Sequence, residues 1–200
     1  MKFLKKSLPT FLIVLSLVSL SAIVSQPVFA NDTSTYSSSF EQDMNDEHIT
    51  QILTLAHSVS NTGQCSAIKD VVITEKDIQE FKLYYQAAQY ERANSHSGYF
   101  KSNTGWVKRS DGITLSCYFY PAAMFIGGEN PNAKAANFSN AFRLLKARHS
   151  SSPNWKNTAS MEVQFLCHAF TIGRLKNPWN IEPWRTDTNL TSVIAHGCNP

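Results

Sequence analysis

The sequence predicts an α+β fold: a small disulfide-supported domain with a β-hairpin in an antiparallel sheet packed by helices, preceded by an N-terminal helical region. Three observations predict it. Ile113, Leu115, Cys117 and Phe119 alternate with Thr114, Ser116, Tyr118 and Tyr120 directly after the turn signal Ser110-Asp111-Gly112. That is the pattern of a hairpin strand with one buried face. From Ala133 to Arg148, Ala136, Phe138, Ala141, Phe142 and Leu145 cluster toward one side, with Lys146 and Arg148 in the last turn, as in a half-buried helix. The four cysteines, Cys65, Cys117, Cys167 and Cys198, follow an export-type leader and contain no CxxC. An even count in an exported chain reads as two disulfides, with three connectivities open.

The elements follow in chain order. Residues 1–30 read as a cleaved signal peptide. Lys2, Lys5 and Lys6 precede an apolar run from Leu8 to Ser25, Pro27 follows, and Val28-Phe29-Ala30 supplies small residues for cleavage before Asn31. The apolar run is nearly long enough to anchor in a membrane, but the cleavage site and the polar stretch after it favour removal. No cysteine near residue 30 suggests lipidation, and HGCNP at the C-terminus resembles no sorting tail. The expected location is therefore secreted and extracellular, with no transmembrane segment in the mature chain. Residues 31–45 are polar and read as a flexible leader.

Residues 46–100 read as an acidic, mainly helical region. Ile49, Ile52, Leu53 and Ala56 give a short helix over 46–58, ended at Asn61-Thr62-Gly63, and Ile68 to Ile73 reads as a short strand. Thr74 caps a second helix running to about Ala93, burying Ile78, Phe81, Tyr85 and Ala88 and extending to Leu83 and Tyr84. Ser95 to Thr104 reads as a polar loop. Residues 101–200 read as the α+β domain. It opens with a strand from Gly105 to Lys108 and the hairpin. The helix over 133–148 follows, then a segment from Met161 to Phe170 that fits either a helix or a strand. The Pro-containing remainder reads as irregular and is held by Cys198.

After removal of residues 1–30, the chain carries 15 basic and 15 acidic residues. Residues 31–100 hold 4 basic and 10 acidic side chains, and residues 101–200 hold 11 and 5. That division suggests that the halves attract each other or that the basic half meets an anionic partner. The acids Glu75, Asp77, Glu80 and Glu91 are expected to face Lys108, Arg109, Arg143, Lys146 or Arg148. The standard hydrolase, metalloprotease, phosphate-loop and calcium-loop signatures are absent, and neither a cofactor nor a metal is expected. Trp106, Trp155, Trp179 and Trp184 offer apolar faces beside polar N–H groups. They are candidate sugar-binding side chains if exposed and packing residues if buried.

Trp106 with the hairpin ending at Tyr120-Pro121, then Asn157-Thr158-Ala159-Ser160-Met161, QFLCH (164–168), WNIEPWR (179–185) and the closing Cys198-Asn199-Pro200, resemble a secreted bacterial family. It is catalogued as domain of unknown function 2599, and the resemblance covers about residues 105–200. It implies a secreted domain with a Cys167–Cys198 pairing. Cys117 and the acidic region depart from the family pattern together, which suggests a Cys65–Cys117 bridge stapling that region to the domain. The implied pairing would bring His168 and His196 close to each other, with Glu182 and Arg185 nearby, a set suited to general acid–base work. The alternative is a core histidine beside a local ion pair. Two functions follow. One is an extracellular binding domain for an envelope component, an anionic polymer or glycan, or a protein. The other is a small secreted effector, a hydrolase or nuclease-like toxin, centred on His168 and His196. Convergence of the four side chains would favour the effector, and burial or dispersal the binder.

Overall fold

The computed structural model describes residues 44–62, 71–91 and 95–200. The expected signal peptide, most of the leader, Cys65 and residues 68–70 lie outside the described residues. Helix α1 spans Asp46–Thr62 and α2 spans Glu75–Glu91. A single turn, α3 (His96–Tyr99), leads to strands β1 (Gly105–Lys108) and β2 (Ile113–Cys117). The short α4 (Pro121–Met124) and the long α5 (Pro131–His149) follow. Helix α6 (Thr158–Cys167) continues through a π turn (His168–Ile172) and a 3-10 turn (Gly173–Leu175). Strand β3 (Trp179–Ile181) and α7 (Leu190–Ala195) complete the chain.

Local chemistry explains the helix starts. Asn45 accepts the His48 amide at 2.9 Å and so caps α1. Its neighbour Met44 is buried, so the leader is anchored to the core by its last residues. Thr74 and Asp77 cap α2 reciprocally: the Asp77 amide reaches Thr74 Oγ1 at 3.3 Å, and the Thr74 amide reaches Asp77 Oδ2 at 2.9 Å. These bonds from Thr74 hold the Asp77 carboxyl down to about 2. Asn130 caps α5, accepting the amides of Asn132 and Ala133, with Pro131 at the first helical position.

The sheet has the order β1-β2-β3 and is antiparallel throughout. Trp106 pairs with Leu115 and Leu115 with Ile181, while Ser116 pairs with Asn180. Strand β3 falls where the sequence suggested irregular chain, and it makes β2 central. Both edges of β2 are therefore paired, and its residues are buried on both faces. Leu115, Cys117 and Phe119 are buried as expected, Thr114 and Ser116 are buried with them, and Ile113 at the strand start is exposed. The ambiguous segment from Met161 to Phe170 is helical, α through Cys167 and π from His168. Val71 to Ile73 form no strand, and Val72 is exposed. The expected loop at 95–104 contains α3 and puts Tyr99 and Phe100 in the core, where Phe100 bridges to Phe119.

Helix α5 runs through the middle. Twelve of its nineteen residues are buried, so it is wrapped rather than half-exposed. One continuous core joins Ile49, Leu53 and Ala56 of α1 and Phe81 and Tyr85 of α2 to Phe138, Phe142, Phe165 and Trp179. Leu83 and Tyr84 are exposed, because the face of α2 toward α5 is narrower than their position suggested.

The two regions meet through amides more than through opposite charges. Asn132 on α5 donates to Asp77 at 3.2 Å and Glu80 at 2.9 Å, and its oxygen lies 2.7 Å from His57 Nε2. Asn140 donates to the Ala88 carbonyl and to Tyr99 Oη. Among the described residues, an ion pair across the boundary runs against the expected sign, from His48 in α1 to Glu162 in α6 at 3.2 Å. Hydrogen bonding to Glu162 raises the His48 pKa. Asp77 and Glu80 thus meet an amide where a basic side chain was expected, and the Glu91 side chain lies outside those described. No helix among the described residues is long and apolar enough to cross a membrane.

Candidate functional site

Cys167, at the end of α6, is bonded to Cys198 with Cα atoms 5.4 Å apart, as the resemblance implied. Cys117 is a free thiol, and Cys65, its expected partner, lies outside the described residues. Cys117 sits on the central strand of the sheet. The side chain is buried in the core and its sulfur lies 3.7 Å from the Leu115 carbonyl. Burial also pushes the thiol pKa up, which leaves it unreactive.

The Cys167–Cys198 bridge brings two backbones together without bringing the histidines together. His168 turns inward, 2% exposed, with its ring 6.5 Å from that of Trp179 and its Nδ1 2.8 Å from the Gln164 carbonyl of its own helix. Burial pushes its pKa down to about 4. His196 lies exposed at the end of α7 with Nδ1 2.8 Å from the Ser192 carbonyl. Glu182 and Arg185 do meet, at 2.7 Å from Arg185 Nε to Glu182 Oε2. The second carboxylate oxygen accepts from Asn199 Nδ2 at 3.1 Å. Both oxygens of this buried carboxylate are therefore occupied by internal donors.

The rest of the WNIEPWR segment is engaged in the same way. Gln164 of α6 donates to the Glu182 carbonyl at 3.1 Å and accepts its amide at 2.8 Å, so a side chain continues the hydrogen bonding of strand β3. Asn180 Oδ1 accepts from Ser116 at 2.9 Å and from Arg109 at 3.2 Å. Of these partners, Gln164 and Asn199 fell within the family-like motifs, Ser116 in the hairpin pattern and Arg109 among the bases expected to meet the N-terminal acids, but none was read as a partner of this cluster. The alternation of Asn180 and Glu182 along one strand was the available signal, once β3 is recognised as a strand.

The tryptophans divide. Trp179 is fully buried, against Phe119 and Phe165 at ring centroid distances of 4.2 and 5.3 Å. Trp155 and Trp106 are half-buried: Trp155 donates to Thr158 Oγ1, and Trp106 sets its ring edgewise to His149. Trp184 seats its ring on the hairpin turn. A Cβ at Gly112 would lie only 2.7 Å from that ring, so the position needs glycine. Asp111, Ile113, Asn154, Lys156 and Pro183 join Trp184 and Gly112 around a surface cleft of about 250 Å³.

A second cleft, of about 470 Å³, is walled by Phe125, Phe138 and Phe170, with Lys134, Arg174 and Glu129 among its polar lining. Arg174 lies over the Phe125 ring and Lys134 pairs with Glu129 at 3.2 Å, so both cations already have partners. Of these two clefts, the Trp184 cleft combines an aromatic ring with an acid, an amide and an ammonium group.

The fold and these residues define a disulfide-bearing α+β module whose motif side chains mostly fasten the module to itself. Residues 102–200 match the family described as Protein of unknown function (DUF2599), and this part of the chain belongs to that family. Uncharacterized proteins of Mycobacterium tuberculosis (strain H37Rv) and Mycobacterium bovis are each 40% identical over 48 residues, 22% of this chain and 32% of the relative. The match spans about a third of the length of these curated relatives. No solved structure matches the chain.

Proposed function

We propose that this is a secreted, non-catalytic binding protein that takes a glycan of the bacterial envelope in the Trp184 cleft. The leader sequence and the Cys167–Cys198 disulfide support an oxidising, extracellular setting. The observation that carries the reading is the cleft itself. An indole ring held on Gly112 gives the C–H face of a sugar a flat apolar surface, and Asp111, Asn154 and Lys156 offer donors and acceptors to its hydroxyls. The burial of His168 and the double occupation of the Glu182 carboxylate favour this reading over the effector.

The test is titration of the mature protein with soluble N-acetylhexosamine oligomers and isolated envelope polysaccharide, followed by calorimetry and by the NMR signal of the Trp184 indole. Saturable binding that shifts the Trp184 signal and is lost in Trp184→Ala is expected. Binding that leaves that signal unmoved and survives Trp184→Ala would place the ligand elsewhere. Turnover of either probe would reverse the preference for the binder.

A further inference from the structure

His96 and His149 lie outside the cleft and outside the WNIEPWR cluster, and their arrangement points to a ligand of another kind. His96 begins α3 and His149 ends α5, so both rings stand on helix ends held by the core. Phe100 stacks on His96 at 4.9 Å between centroids, and Trp106 lies edgewise to His149 at 6.2 Å. These contacts fix both rings with their Nε2 atoms 3.4 Å apart, in a half-buried position open to solvent.

Two imidazole nitrogens at that separation either share one proton or share one cation. A tetrahedral zinc ion bound at about 2.0–2.1 Å per nitrogen sets two ligand nitrogens about 3.3–3.4 Å apart. Imidazole suits zinc, copper and nickel among divalent ions. We propose that His96 and His149 form a two-imidazole site for a divalent transition-metal ion of this class.

Among the described residues no three His, Cys, Asp or Glu side chains come together as metal ligands, so water or a small anion completes the coordination. The nearby Arg148 charge acts on both rings and opposes positive charge there, so an anion at the open positions would offset its effect on the bound ion. Such a site is exchangeable, and its ion is available to a further ligand.

The experiment is titration of the chelator-treated mature protein with Zn²⁺ and Cu²⁺, read by calorimetry and by Trp106 emission, which bound Cu²⁺ quenches. One ion per chain is expected. His96→Ala and His149→Ala should each weaken binding by at least the roughly 10–100-fold that loss of even an outer-shell partner costs. His196→Ala should leave it unchanged. Because either alanine variant can perturb the helix ends, the wild-type protein is also followed by NMR. Paramagnetic Cu²⁺ should broaden the His96, His149 and Trp106 ring signals before those of other residues. No saturable binding, or binding and broadening centred on other histidines, would show that the pair holds no metal.

Discussion

Residues 44–91 and residues 102–200 contribute to the same core, and they hold to it by different means. The N-terminal helices contribute apolar side chains such as Leu53, Phe81 and Tyr85, tied across by the side-chain amides of Asn132 and Asn140 and by the His48–Glu162 pair. The family segment binds itself: Gln164 to the backbone of Glu182, Glu182 to Arg185 and Asn199, Asn180 to Ser116 and Arg109, and Cys167 to Cys198. Apolar packing is non-directional and fits many sequences, whereas a buried carboxylate or amide needs specific partners. A recognisable motif and an unremarkable pair of helices can thus serve one structure. The motif marks where the polar partners are demanding, and it does not by itself mark a catalytic centre.

The largest expected effect comes from breaking the apolar side of this contrast. Phe81 is fully buried against Tyr85 in α2. Phe81→Ala should cost about 3–5 kcal/mol through lost burial and the cavity left behind. All four tryptophans, Trp106, Trp155, Trp179 and Trp184, lie in the family segment. If the two regions share one core, the unfolding free energy read from tryptophan emission should fall by that amount, with the midpoint falling accordingly. An unchanged tryptophan transition, with loss of helix signal alone, would separate the regions.

The hairpin, the capped α2 and the apolar stripe of α5 were legible in the sequence, because each rests on local periodicity and turn chemistry; the burial of Asn132, Asn137 and Asn140 on α5 was not. Strand β3 was not. Three residues between Pro178 and Pro183 carry too little periodicity, and they become a strand only because β2 offers an open edge. The central position of β2, which β3 creates, was not legible for the same reason; Cys117 on that strand is a buried free thiol, and Cys65 lies outside the described residues. Among the site residues, Glu182 and Arg185 were found together as read. His168 and His196 were not, because a disulfide joins backbones without setting the direction of the neighbouring side chains.

A smaller effect concerns pH. His168 has its pKa pushed down to about 4 by burial, from an ordinary value of 6.5. Its neutral form contributes stability that is fully present above the ordinary value and declines as pH falls from about 6.5 toward 4. The loss from this residue should reach up to about 3 kcal/mol. In His168→Phe the Gln164 carbonyl keeps the backbone amide of residue 168 as its partner, so no acceptor is stranded. Thermal melts from pH 7.5 to 4.5 should show a flatter acid-side decline in the variant. Parallel declines would assign the acid sensitivity to other groups.

Native-state hydrogen exchange tests the shared core most directly. If the N-terminal helices and the family segment unfold as one unit, the slowest amides of α2 around Phe81 and Tyr85 should open with the same free energy as those of α5 around Phe138 and Phe142. Their dependence on denaturant should also match. Exchange of α1 and α2 through a separate, smaller opening, while α5 stays protected, would contradict the account.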